Sequence, residues 1–221
     1  MGRMSSRSTL LQWLSRHLAL LAVLSFLCAL LGFGAAMDGF SHRVHPVAVL
    51  GARTVPGGWA FNLLAYIAPG LLLAWQGWRL RDALHHGNHP LPVTGRIGAQ
   101  LLQLSALAFA AQGVLPLDLS DLENPASARH AAVWLMWCLS FAIGGGLLAA
   151  GLYDRMRWRH FAAGTLLVAV ALPACTLLLP RILEPGLAQR AGLVLWFAWS
   201  LACDRSVNRS AASSPGLKPR V

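Results

Sequence analysis

A carboxylate and an imidazole are the side chains best suited to moving a proton or holding a divalent metal near neutral pH. Asp118 and His130 bring both into one stretch, GVLPLDLSDLENPASARHAAVWLMW, from Gly113 to Trp137. Asp121, Glu123 and Arg129 share its short polar loop, and His42, His45 and Arg190 belong to two other connections. Asp118 and His130 are therefore the candidate catalytic pair for acid–base chemistry. No ligand spacing of the HExxH kind accompanies them, so no metal ligand is assigned. Ser41 and Ser120 are the nearby hydroxyls, and neither occupies a nucleophile elbow. The competing reading is structural: Asp118 and His130 bond each other and nearby backbone, and so pin the loop. Networks of that kind cluster titratable groups just as active sites do.

Arg190 stands about one and a half turns inside an apolar helix that begins near Pro185. A cation there opposes the positive helix N-terminus, so it requires a carboxylate or a lipid phosphate, with Asp118 and Asp121 the nearest acids in kind. Snorkelling of its long side chain to the headgroups is the alternative. His85, His86 and His89 form a short tract beside Gly87 and Pro90, and a turn of that composition is assigned no metal role.

Elements that position these residues are helices spanning a bilayer. Of 221 residues, 56% are hydrophobic and 12% charged, with mean hydropathy +0.55. A soluble domain carries about twice that charged fraction. Six apolar runs follow: Leu18 to Met37, Trp59 to Trp78, Ile97 to Leu115, Asn124 to Leu152, Phe161 to Leu179 and Pro185 to Ala202. The first has 20 residues, enough to cross a hydrocarbon core of ~30 Å and long for a signal peptide, so it reads as a retained helix. The reading is all-α: a polytopic membrane protein with a six-transmembrane-helix bundle over 18–203, a cytoplasmic segment at 1–17 and a disordered basic tail at 204–221.

Local signals sharpen these boundaries. Asn124-Pro125 reads as N-cap and first-turn proline. Asn62, Tyr66, Pro69, Leu73 and Gln76 fall on one stripe of the second helix, and Ser105 and Gln112 on one face of the third. Pro69 and Pro173 are expected to interrupt their helices. Ala142, Gly146 and Ala150 form a small-xxx-small face suited to close helix packing. Tryptophans near helix ends (Trp13, Trp59, Trp78, Trp134, Trp137, Trp158, Trp199) read as interfacial anchors. Cys28, Cys138, Cys175 and Cys203 lie in or beside apolar runs without a CxxC pair, as small hydrophobes rather than a disulfide framework.

The formal charge of +10 comes from 18 Lys and Arg against eight acids. The basic residues sit in short clusters between apolar runs, which excludes nucleic acid as partner and points to lipids. Thirteen of the 18 fall in the N-terminal segment, the second and fourth connections and the C-terminal segment. That bias places both termini in the cytoplasm of a cell with an inner membrane. Asp38, Asp118, Asp121, Glu123 and Glu184 then face outward.

Four segments carry a family resemblance: FSHRVHPVAVLGA from Phe40, PGGWAFN from Pro56, GVLPLDL from Gly113 with His130 downstream, and GLAQR from Gly186. With them, residues 18 to 202 resemble a bacterial six-helix membrane family known as domain-of-unknown-function family 998. In the family's usual first segment a tyrosine stands where this chain has Phe40, and a glutamate where it has Val49. The resemblance implies a helical integral membrane protein and names no activity. Its matching polar positions are Ser41, Asn62, Asp118, His130, Gln189 and Arg190.

Together these features predict an outward-facing polar pocket built from Ser41, His42, His45, Asn62, Asp121, Gln189 and Arg190. It would bind a lipid or small amphiphile, or support a membrane partner whose identity is open, as is any cofactor. A membrane-embedded hydrolase or transferase using Asp118 and His130 is the alternative. A proton-coupled transporter is weaker, since no expected helix centre carries an ionisable residue.

Overall fold

In the computed structural model, which describes residues 3–85 and 90–212 with side chains from Leu10, every regular element is helical. His86, His89 and residues 213–221 lie outside that range. The helices are α1 (Arg3–Arg16), α2 (Leu18–Ala36), α3 (Gly58–Asn62), α4 (Ala68–His85), α5 (Val93–Val114), α6 (Pro125–Leu152), α7 (Arg159–Pro173) and α8 (Pro185–Ala212). A π turn at Leu63–Ile67 joins α3 to α4, and another at Ala174–Leu178 extends α7.

Local chemistry sets several of these boundaries. Asn124 caps α6 by accepting from the Ala126 and Ser127 amides at 2.9 and 2.8 Å, with Pro125 in the first turn. Pro69 cannot donate to the carbonyl of Ala65, and the irregularity lies one turn earlier, where the Ala68 N–H reaches back to Leu63. Near Pro173, the Thr176 hydroxyl donates to the Leu172 carbonyl at 3.0 Å.

Five helical stretches are long and apolar enough to cross a membrane: Leu18–Ala36, Gly58–His85, Val93–Val114, Pro125–Leu152 and Met156–Arg181. Each has a buried face and a face of exposed aliphatics. In α2, Ala19, Ala22, Phe26 and Leu30 turn inward, whereas Leu24, Leu27 and Leu31 turn outward. α8 also travels the length of the bundle, though Arg190, Asp204 and Arg205 make it less apolar. Its first turn meets the 37–57 connection, where the Leu187 N–H donates to the Arg43 carbonyl at 3.1 Å. Its last turns meet the α1–α2 junction, where Asn208 donates to the Arg16 carbonyl at 2.9 Å. We call these the distal and proximal ends.

Helix association in lipid has little hydrophobic drive and depends on close packing. The tight pair is α5 and α6. A Cβ on Gly98 would lie 2.4 Å from the Leu148 amide nitrogen, and one on Gly144 would lie 2.7 Å from the Leu101 Cβ. The face expected from Ala142, Gly146 and Ala150 is not this seam, for nothing lies within 4 Å of a Cβ on Gly146. Three consecutive glycines at 144–146 look alike in sequence, and only the rotation of α6 selects Gly144 and Gly145. The second-helix stripe and the Ser105–Gln112 face are buried as expected.

Phe109 of α5 is the hub of the core. Its ring meets Phe26 of α2, Tyr66 of the first π turn, Trp137 of α6 and Trp196 of α8, with centroids 6.5, 5.2, 5.8 and 4.5 Å away. The tryptophans divide accordingly. Trp13, Trp59 and Trp78 face outward as anchors, but Trp137, Trp158 and Trp199 are core residues. α8 continues through Asp204 to Ala212, because Asp204 is buried in contacts that hold the proximal end together. Its carboxylate accepts from the Ala19 amide and from Gln76, each at 2.8 Å.

Candidate functional site

The 37–57 connection folds over the start of α8, and Arg190 is the post around which it closes. One terminal nitrogen of the guanidinium donates to the carbonyls of His45 (3.0 Å) and Gly186 (2.8 Å). The other faces His42 Nδ1 at 3.3 Å, and since arginine only donates, the imidazole accepts. The Phe40 ring lies beneath the guanidinium, 5.9 Å from centroid to Cζ, within range of a cation–π contact. Phe40 also meets His42 edge-on and stacks on His45. His45 Nδ1 accepts from the Ser41 amide at 2.9 Å, and Gln189 Oε1 accepts from the Val47 amide at 2.7 Å. Gly186 permits this approach, for a Cβ there would sit 2.6 Å from the Arg43 carbonyl oxygen.

Ser41, His42, His45, Gln189 and Arg190 thus come together where the 37–57 connection meets α8. Asn62 and Asp121 are engaged elsewhere. Asn62 is buried and donates to the Gly51 carbonyl at 2.7 Å, while Asp121 accepts from the Glu123 amide at 3.0 Å.

Arg190 differs from expectation in its partners, which are carbonyls and an imidazole rather than Asp118 or Asp121. A folded connection offers carbonyl oxygens that no residue-type pattern reveals. Asp118 Oδ1 accepts from the Ser120 hydroxyl at 2.6 Å and its amide at 3.0 Å, and Oδ2 accepts from Asn124 at 3.0 Å. Led by the Ser120 hydroxyl, these donors hold the Asp118 carboxyl below its ordinary range. His130 instead pairs its Nδ1 with the Leu115 carbonyl at 2.8 Å. Each residue fastens its own part of the 115–124 connection, and neither bond links Asp118 to His130. Among the described residues, no three His, Cys, Asp or Glu side chains gather closely enough to hold a metal ion.

Polar side chains from the first π turn, α5 and α6 also lie buried in the bundle. The Ser105 hydroxyl donates to the Trp137 carbonyl at 2.8 Å, aligning α5 with antiparallel α6. Gln112 is seven residues beyond Ser105 on α5 and His130 seven before Trp137 on α6, so both rise about 10 Å above that bond. The Tyr66 ring meets His130 edge-on with centroids 6.5 Å apart, and its phenol lies within electrostatic reach of Arg190. Tyr66 and Gln112 were legible only as members of buried stripes, and Trp137, read as an interfacial anchor, is instead buried.

A cleft of about 160 Å³ opens at the distal end, lined by Pro46, Trp134, Thr176 and Gln189 among others. Trp134, on its lining, meets the buried Trp137 at a tilt, centroids 4.7 Å apart.

An all-helical bundle with five bilayer-length apolar stretches defines a multi-pass membrane protein whose outer faces contact lipid. The chain belongs to the family described as Protein of unknown function (DUF998), whose family model matches residues 19–203. No curated protein and no solved structure matches it.

Proposed function

We propose that the protein binds an anionic amphiphile at the distal end of its bundle, with Arg190 as the anchoring charge. The observation that carries this reading is a half-buried guanidinium whose hydrogen bonds go to two carbonyls and an imidazole, none of which neutralises it. A cation held at membrane depth without a carboxylate favours an anion from outside the chain. The neighbouring cleft supplies access, and the exposed aliphatic faces of α6 and α7 supply lipid for a tail. In this reading α8 is a sixth membrane span, both termini are cytoplasmic and the distal end faces outward from the inner membrane, as the arginine bias favours.

The test is native mass spectrometry of wild type, Arg190→Lys and Arg190→Gln after mild detergent extraction. Wild type is expected to retain an anionic lipid, Arg190→Lys to retain less, and Arg190→Gln to lose it. Wild type that carries no amphiphile, and gains none from anionic mixed micelles, would sink the reading.

A further inference from the structure

Three acceptors from one short turn face the start of α8. Residues 41–45 of the 37–57 connection close an α-turn, in which the His45 N–H donates to the Ser41 carbonyl at 2.9 Å. The Arg43 carbonyl takes the Leu187 N–H, and the His45 carbonyl takes one terminal nitrogen of Arg190. His42 Nδ1 takes the other. A reciprocal bond tightens the turn, from the Ser41 N–H to His45 Nδ1 at 2.9 Å. Both imidazoles thus accept through Nδ1 from groups that can only donate, and both are neutral in this arrangement. A proton on His42 Nδ1 would set an N–H against the guanidinium. A proton on His45 Nδ1 would set one against the Ser41 amide.

The rings are packed where they stand. A Cβ on Gly34 of α2 would lie 2.9 Å from both Cε1 and Nε2 of His42, and Phe40 meets that ring edge-on, centroids 5.1 Å apart. His45 stacks on Phe40 with centroids 5.6 Å apart. From α8 the rings face the Arg190 cation, and from α2 the uncharged Gly34. Asp38 and Arg43 of the connection and Glu184 ahead of α8 are exposed, and among the described residues no carboxylate bonds either imidazole. A proton added to the closed turn therefore meets a cation and an amide donor rather than a counter-charge.

We propose that His42 and His45 make the 37–57 connection an acid-sensitive latch, closed on α8 at neutral pH and released when the imidazoles take up protons. Imidazole is the side chain whose charge ordinarily changes between pH 5 and 8. Release frees the guanidinium from the His45 carbonyl and leaves imidazolium charge beside it. Phe40 couples the two rings, since it touches both and also lies against Arg190. In the orientation proposed above the latch faces outward from the inner membrane. The latch itself holds whatever Arg190 binds.

Hydrogen exchange read by mass spectrometry tests it, on protein in lipid nanodiscs at pH 7.5 and 5.5, with rates corrected for the intrinsic pH dependence of exchange. The closed turn excludes the proton, so opening is favoured as pH falls. A free imidazole charges near pH 6.5, so each ring should make release about tenfold easier over this interval. Wild-type peptides covering 40–50 and 184–190 should lose protection by that factor or more. Peptides covering 115–124, held by Asp118 and His130, should keep theirs. Asparagine offers Oδ1 close to where Nδ1 stands and does not titrate. His42→Asn/His45→Asn should therefore be equally protected at both pH values, and either single variant should show an intermediate loss even if the double variant does not fold. Equal protection of wild type at both pH values would overturn the latch, as would a loss that the asparagine variants share in full. Joint loosening of 40–50 and 115–124 would also overturn it, by placing the titrating group elsewhere in the bundle.

Discussion

Asp118 and Asn124 illustrate how single residues at the distal end serve the fold. Asn124 accepts two amides at the start of α6 and donates to Asp118, so cap and loop share one side chain. Asn124→Ala should lower stability by about 1 kcal/mol through loss of the cap, read as a drop in thermal unfolding midpoint in detergent. Asp118 has its carboxyl held below its ordinary range by Ser120 and Asn124. A depressed carboxyl adds stability that is complete above the unfolded-state pKa and disappears as pH falls through the folded one. Unfolding midpoints measured from pH 6 downward should therefore decline below about pH 4 in wild type, and decline less in Asp118→Asn. Equal acid limbs in the two proteins would remove Asp118 from the loop's support.

Among the elements, the α5–α6 pair depends on glycines with no room for a methyl group. Backbone rather than a flexible side chain faces Gly98, so Gly98→Ala must push the helices apart. The expected cost is about 1–3 kcal/mol. Gly146→Ala, on α6 but in open space, should be neutral or slightly stabilising, since alanine favours helix over glycine. Thermal unfolding of the two variants side by side checks the packing face. A reversed order would mean that α6 is rotated from the arrangement described above.

For the molecule as a whole, the two ends are closed by different chemistry. The distal end is tied by Arg190 to backbone carbonyls. The proximal end is tied by Asp204, which joins the first turn of α2 to α4 and α8, with Arg79 bonding Asn208 at 3.2 Å and the Ser15 carbonyl beside it. Asp204→Ala leaves the Ala19 amide without its acceptor and Gln76 with the Ser200 carbonyl alone, and should destabilise by about 2 kcal/mol. Truncation after Ala202 should be worse still, since it removes both Asp204 and Asn208 from the proximal end. Reporter fusions test the proposed orientation: insertions at Arg53 and Glu123 should read external, and one at Arg157 cytoplasmic. Disagreement between Arg53 and Glu123 would break the six-span topology, since both belong to the distal end.

What the sequence determined by itself were the properties carried by neighbouring residues. Apolar run length declares a bilayer helix, Asn124-Pro125 declares a helix start, and periodicity along Asn62, Tyr66 and Gln76 declares a buried stripe. Each depends only on spacing within a few turns, and each survives folding. The membrane class and the family were legible for the same reason. Tertiary structure alone decided which helix face meets which, and every difference from expectation traces to that. Rotation of α6 chose Gly144 over Gly146 and drew Trp137 inward. The path of α8 along α2 and α4 turned Asp204 from a tail residue into a buried acceptor. The fold of the 37–57 connection aimed carbonyl oxygens at Arg190, and backbone atoms carry no residue-type signature from which that pairing could be read. The roles of His42 and His45 as acceptors became visible only once their partners existed, because a ring nitrogen's part in a hydrogen bond is set by what stands beside it.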